Sequence, residues 1–251
     1  MIEGALALHD AALPVFMQFF ATFLRIGGMM LLVPGLGDRM IPVRVKLVAA
    51  FALSAAVAPS VVQPEAVPPG LIAVELTIGL ALGAVLRFVA MALTMAGMMA
   101  AQLTSLSQIF GGAEPSSAMG NILNLAGLAL LMASGLPLML VDMLIRSYDV
   151  LPMGLVPAGG DLAEWGVARV AQAFALAFGM AAPFALAALL YNAAMGVINR
   201  AMPQLMVALV GAPAITGASA VLLFLSAPLI LTVWKSAMLA ALGDPIAGGM
   251  P

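Results

Sequence analysis

The 251 residues are 64% hydrophobic and only 8% charged, with nine basic and eleven acidic side chains, one histidine and no cysteine. A soluble domain carries about 25% charged residues, so this chain cannot clothe itself in water, which excludes a soluble enzyme, a disordered segment and a nucleic-acid binder with its basic patch. The mean hydropathy of +1.17 points to an integral membrane protein, while the formal charge of −2 says nothing specific about partners and the lack of cysteine excludes disulfides and thiolate metal sites.

A membrane helix needs about 20 apolar residues, and the sparse charges mark out six such spans. Met1–Asp10 carries Glu3 and Asp10 but no base, unlike a secretory signal, so the first apolar segment is expected to be retained. The first span is Ala12–Val33, with Arg25 inside it; the loop Pro34–Pro42 follows, with Asp38 and Arg39 in it and Arg44 and Lys46 just beyond. The second is the short run Leu47–Val62, closed by the proline-rich turn Gln63–Gly70. The third, Leu71–Phe110, is interrupted only by Glu75 and Arg87. Forty residues of helix span about 60 Å, twice a bilayer core, so this segment must tilt, break or leave the lipid.

Gly111–Ser117 (GGAEPSS) is the clearest internal loop. The fourth span is Met119–Ile145, with Pro137 inside, followed by a polar connection, Arg146–Arg169. Val170–Asn199 and Ala201–Trp234 complete the set, separated near Arg200 and Pro203, and read as an antiparallel hairpin. Prolines within the spans (Pro137, Pro183, Pro213, Pro228) remove backbone donors. Such breaks suit helices buried in an assembly better than a lone bundle. The strand alternation of a β-barrel is not visible, so the expected fold is all-α and polytopic, with about six apolar helices, no linker dividing it into domains and no convincing internal repeat. The basic cluster Arg39, Arg44 and Lys46 places its loop in the cytoplasm by the positive-inside rule.

Enzyme signatures are missing. HExxH, the P-loop spacing and a strand-flanked GxGxxG do not occur, and His9 precedes the first span, so neither a two-histidine metal site nor an intramembrane histidine base is available. No cofactor is expected. Arg25, Glu75, Arg87 and Asp142 fall within or near the apolar spans, at roughly 2.5–3.5 kcal/mol each at a helix centre. They fit either an ion or proton path or paired structural charges. Glu75 and Arg87 are twelve residues apart, about 18 Å along one helix, so each needs a partner elsewhere. Met91, Met95, Met98 and Met99 share one helix face, and fit either a flexible seal around changing contents or ordinary core packing. Gly79 and Gly83 form a GxxxG pair suited to a close helix contact, with a partner in this chain or another.

Four stretches together resemble the FliR family, the export-gate membrane proteins of flagellar and type III secretion systems. They are Phe23–Pro59 (FLRIGGMMLLVPGLGDRMIPVRVKLVAAFALSAAVAP), Glu75–Leu103 with Glu75, Gly79, Gly83, Ala96 and Gly97, Ser147–Gly154 (SYDVLPMG), and Ala182–Val207 with Pro183, Gly196, Arg200, Pro203 and Gln204. The chain departs from the family pattern at Ser134-Gly135-Leu136-Pro137, which lacks an Asn-Gly-His-type step, and at Met206, where the family often has Asn.

The resemblance implies a single export-gate domain over residues 1–251, with an N-terminal helical part (1–169) akin to FliP and a C-terminal hairpin part (170–251) akin to FliQ. It implies a subunit of the flagellar protein-export channel, in the bacterial inner membrane at the flagellar basal body. FliP and FliQ would be its partners, with FlhA and FlhB nearby and secreted flagellar proteins as substrates. It also implies a pore plug formed by Gln108, Ile109, Phe110, Gly111, Gly112, Ala113, Glu114 and Pro115, with Met95, Met98 and Met99 as candidate gasket residues beside it. The alternative is a small-molecule or ion transporter, for which inverted repeats and charged midplane helices would be the signature.

Overall fold

The computed structural model describes residues 2–38, 41–62, 70–103, 116–201 and 207–246. Among them there are seven α-helices and no strand: α1 (Ile2–Met30), α2 (Val43–Val57, prolonged by the 3₁₀ turn Ala58–Ser60), α3 (Leu71–Leu103), α4 (Ser116–Ala133), α5 (Leu136–Val150), α6 (Gly159–Ala201) and α7 (Val207–Gly243). Five stretches of these helices are long and apolar enough to cross a membrane, and α4 with α5 makes a sixth if the bent pair is one span. The fold is therefore that of a polytopic all-α membrane protein, the only open-ended solution lipid allows to an unpaired backbone.

The fourth span differs from the sequence expectation. Met119–Ile145 is not one helix but two, bent by 75° at Ser134–Gly135. Gly135 has φ +85°, a left-handed conformation that favours glycine and ends α4, and Pro137 sits in the first turn of α5, where its missing N–H costs nothing. The expected polar connection Arg146–Arg169 also shrinks to Leu151–Ala158. Helix α5 runs on to Val150, and α6 starts at Gly159, eleven residues before the apolar run that announced it. Its first turns carry Asp161 and Glu164, acids that suit a helix N-terminus but mask the helix from a hydropathy reading. The turn expected near Arg200–Pro203 falls partly outside the described residues, since 202–206 are not among them.

The chain divides into two compact units. Unit 1 comprises residues 1–88, 132–169 and 239–251, and unit 2 comprises 89–131 and 170–238. In unit 1, α3 crosses α1 at glycines. A Cβ on Gly79 would lie 2.0 Å from the Arg25 carbonyl oxygen, one on Gly83 2.6 Å from that of Met29, and one on Gly28 2.7 Å from that of Leu76. The GxxxG pair thus finds its partner helix within the same chain, with backbones too close for any side chain between them. Ile78, Leu82 and Leu86 fill the flanks of this crossing and are buried. Helix α2 is tied to α1 by Gln18, whose Nε2 donates to the carbonyls of Ala58 and Val61, and by the edge-on rings of Phe19 and Phe51, 5.0 Å apart.

In unit 2 the second half of α3 meets α4 at another glycine pair: a Cβ on Gly97 would lie 2.4 Å from Cα of Gly120. Gly127 makes room for Leu93 and for the indole of Trp234 on α7, which is fully buried and donates from Nε1 to the Val89 carbonyl at 2.8 Å.

Candidate functional site

The glycine crossing of α1 and α3 decides where the charges go. Glu75, Gly79 and Gly83 lie at i, i+4 and i+8 on one face of α3, so the face that admits the α1 backbone also delivers a carboxylate to it. Arg25 reaches that carboxylate from α1: Nε donates to Oε2 at 2.7 Å and an Nη2 hydrogen to Oε1 at 3.2 Å. Both side chains are 0% exposed. An unpaired charge at such depth costs several kcal/mol, and a pair repays this only if its remaining donors and acceptors are satisfied.

They are satisfied by the C-terminal end of α5. Arg25 Nη1 donates to Ser147 Oγ at 3.2 Å, and Nη2 also donates to the Leu151 carbonyl at 3.0 Å. The Gly154 N–H donates to Glu75 Oε1 at 2.9 Å. The guanidinium carbon lies 3.6 Å from the centroid of the Tyr148 ring, a cation–π contact. Four hydrogen bonds leave Arg25, which has five N–H donors. The carbonyls at a helix C-terminus carry partial negative charge, so a buried cation there gains twice, from the carboxylate and from the helix end.

The other two expected intramembrane charges lie elsewhere in unit 1. Arg87 pairs with Asp38 of the α1–α2 loop at 2.6 Å, and Asp142 with Arg146 one turn along α5 at 2.9 Å; both pairs are substantially exposed. The four residues are therefore not brought together. Each is paired, and only Arg25 and Glu75 form a buried site. Among the described residues no group of three or more His, Asp or Glu could hold a metal ion.

The methionine face lies in unit 2. Met91 and Met98 are exposed and Met95 and Met99 half-buried, while Ala92, Leu93, Ala96 and Ala100 form the buried strip of the same helix. The methionines flank that strip instead of filling it. Met98, Met99 and Gln102 line one side of an apolar groove of about 450 Å³, with Phe178, Ala181 and Ala185 of α6 on the other. The expected plug, Gln108–Pro115, lies outside the described residues.

Sequence reasoning did not reach Ser147, Tyr148, Leu151 and Gly154 as members of the Arg25–Glu75 site. One signal was available. Ser147–Gly154 opens on the polar Ser147-Tyr148-Asp149 and carries Pro152 and Gly154, turn formers soon after an apolar run. The separations of 122 and 126 residues from Arg25 are invisible in one sequence.

Fold and site together define a polytopic helical membrane protein whose buried ion pair links its own helices. The chain belongs to the bacterial export proteins, family 1, whose model matches residues 16–241. It is similar to the flagellar biosynthetic protein FliR of Caulobacter vibrioides, with 33% identity over 84% of this chain and 89% of that protein. It is also similar to those of Aquifex aeolicus (30%, covering 83% and 84%) and Escherichia coli K12 (26%, covering 78% of each).

Proposed function

We propose that this chain forms part of the wall of the channel through which flagellar proteins are exported, in the bacterial inner membrane at the flagellar basal body. The observation that carries this reading is the family match over nearly the whole chain, with flagellar biosynthetic relatives covered almost end to end. The chain is a membrane-embedded subunit of the flagellar export apparatus. It acts as a structural component of that apparatus, and a small-molecule or ion transporter is not favoured.

Within that apparatus the reading assigns FliP and FliQ as direct partners, FlhA and FlhB as neighbours, and secreted flagellar proteins as substrates. Residues 1–169 form the FliP-like part and 170–251 the FliQ-like hairpin. Helix lengths support a place in a larger assembly. The 43 residues of α6 and 37 of α7 span about 65 and 55 Å, well beyond a hydrocarbon core of about 30 Å. Residues such as Phe174, Phe178, Leu186, Leu189, Phe224 and Leu225 remain exposed along them, more apolar length than lipid alone can cover.

The loop Gln108–Pro115 acts as the plug of the closed pore, and Met95, Met98 and Met99 as a deformable seal beside it. The exposure of Met98, with Met95 and Met99 half-buried beside it, and the apolar groove at Met98 and Met99 support this, because flexible thioethers adapt to changing neighbours. Deleting Gly111–Pro115 in the assembled complex is expected to leave assembly intact and to raise ion conductance across the membrane. Unchanged conductance in a correctly assembled deletion complex rejects the plug.

A further inference from the structure

We infer that Arg25 and Glu75 are positioning residues for the turn Leu151–Gly154, which carries the chain from α5 to α6. The turn's backbone is held by side chains far away in sequence. The Leu151 carbonyl accepts from Arg25, 126 residues away, and the Gly154 N–H donates to Glu75, 79 residues away. Ser147 relays the hold into α5: its Oγ accepts from Arg25 and donates to the Leu144 carbonyl at 2.7 Å, while its own carbonyl accepts from the Leu151 N–H at 2.9 Å. Gly154 has φ +81°, a conformation that a glycine adopts freely, and the Leu155 N–H donates to the Pro152 carbonyl at 3.0 Å, so the turn has a local bond of its own besides the two distant anchors.

The site is more specific than charge neutralisation requires. Arg25 and Glu75 neutralise each other through two hydrogen bonds, yet each also bonds the same four-residue turn, Arg25 at the Leu151 carbonyl and Glu75 at the Gly154 N–H. A cavity of about 320 Å³ lies beside that turn, lined by Ser60, Val61, Tyr148, Asp149, Pro152 and Met153. A turn next to empty space has room to move when its anchors are removed. The ion pair therefore sets where the turn is held against α1 and α3, a role distinct from its contribution to stability.

The native chain has no cysteine, so a single introduced one is a clean probe. Met153→Cys, at a half-buried position, is labelled with a maleimide in the membrane-embedded complex, and Val43→Cys, already 78% exposed and not among the residues lining that cavity, serves as control. A double substitution R25M/E75L removes both charges together and leaves no buried ion unpaired. The expected result is normal accumulation, labelling at position 153 faster by about tenfold or more, as local opening becomes easier, an unchanged rate at position 43, and reduced secretion. Labelling at the wild-type rate in an accumulated double variant overturns the inference, as does an equal acceleration at position 43, which would mean general loosening. Should the double variant fail to accumulate, Arg25→Lys decides. It keeps the charge opposite Glu75 but lacks the planar fork that reaches Ser147 and Leu151, so faster labelling at 153 supports positioning and an unchanged rate overturns it.

Discussion

Helix α3 is crossed closely twice, once in each unit, and the two crossings solve the same problem with different polar chemistry. At Gly79 and Gly83 it meets α1, and at Gly97 it meets α4. In both places glycine removes the side chain that would hold the backbones apart, which is how helices gain dispersion contact where lipid offers no hydrophobic drive. The first crossing adds a buried ion pair with its hydrogen bonds to Ser147, Leu151 and Gly154. The second adds one neutral hydrogen bond, from Trp234 to Val89. Small residues thus set the distance of approach. The polar groups set which further element is recruited to the crossing, a turn in unit 1 and an indole in unit 2.

The comparison can be broken from either side. The largest effect is expected from Gly79→Leu, because its Cβ alone would lie 2.0 Å from a backbone oxygen and no side-chain movement can relieve that. The chain should fail to accumulate in membranes, as read by immunoblot, and normal levels would show that the crossing is looser than described. Next is Arg25→Met alone. It leaves Glu75 buried without a counter-ion, at a cost of about 3–5 kcal/mol, so thermal aggregation of the purified complex should begin at clearly lower temperature than for R25M/E75L.

Trp234→Phe tests the second crossing. Losing one neutral hydrogen bond costs about 1 kcal/mol, and the space left where the buried indole packed beside Gly127 adds about 1 kcal/mol, so the shift in the same assay should stay below that of Arg25→Met; a loss as large would erase the distinction between the two crossings. The smallest effect is expected from Arg146→Ala, which removes an exposed i,i+4 pair with Asp142 worth at most about 0.5 kcal/mol. A measurable drop in stability there would mean that a partner subunit buries that face.

The exposed face of unit 2 sharpens the contrast further. Within α7 about a quarter of the residues of Gly217–Gly243 are buried, against about half of Leu71–Gln102 in α3. Helix α3 is a core element of this chain, and most of that stretch of α7 is not.

By itself the sequence determined that the protein is an all-helical membrane protein, because 64% apolar residues with 8% charged call for lipid, lipid allows only helices or a closed barrel, and the alternation of barrel strands is missing. It also determined that Gly79 and Gly83 mark a tight crossing and that Glu75 and Arg87 cannot pair with each other. These are properties of composition and of helical period, which a linear reading captures. Helix boundaries were legible only where apolarity changes sharply. The start of α6 was missed because its first turns are polar, and the break at Gly135 because a run of hydropathy does not register a positive φ.

Only the tertiary structure decided which helix fills the GxxxG groove, that Arg25 is the counter-ion of Glu75, and that both reach the turn Leu151–Gly154. The reason is geometric. A charge in an apolar span announces that it needs a partner. Which partner it finds depends on chain crossings between residues 50 to 126 positions apart, and no local periodicity encodes a separation of that length.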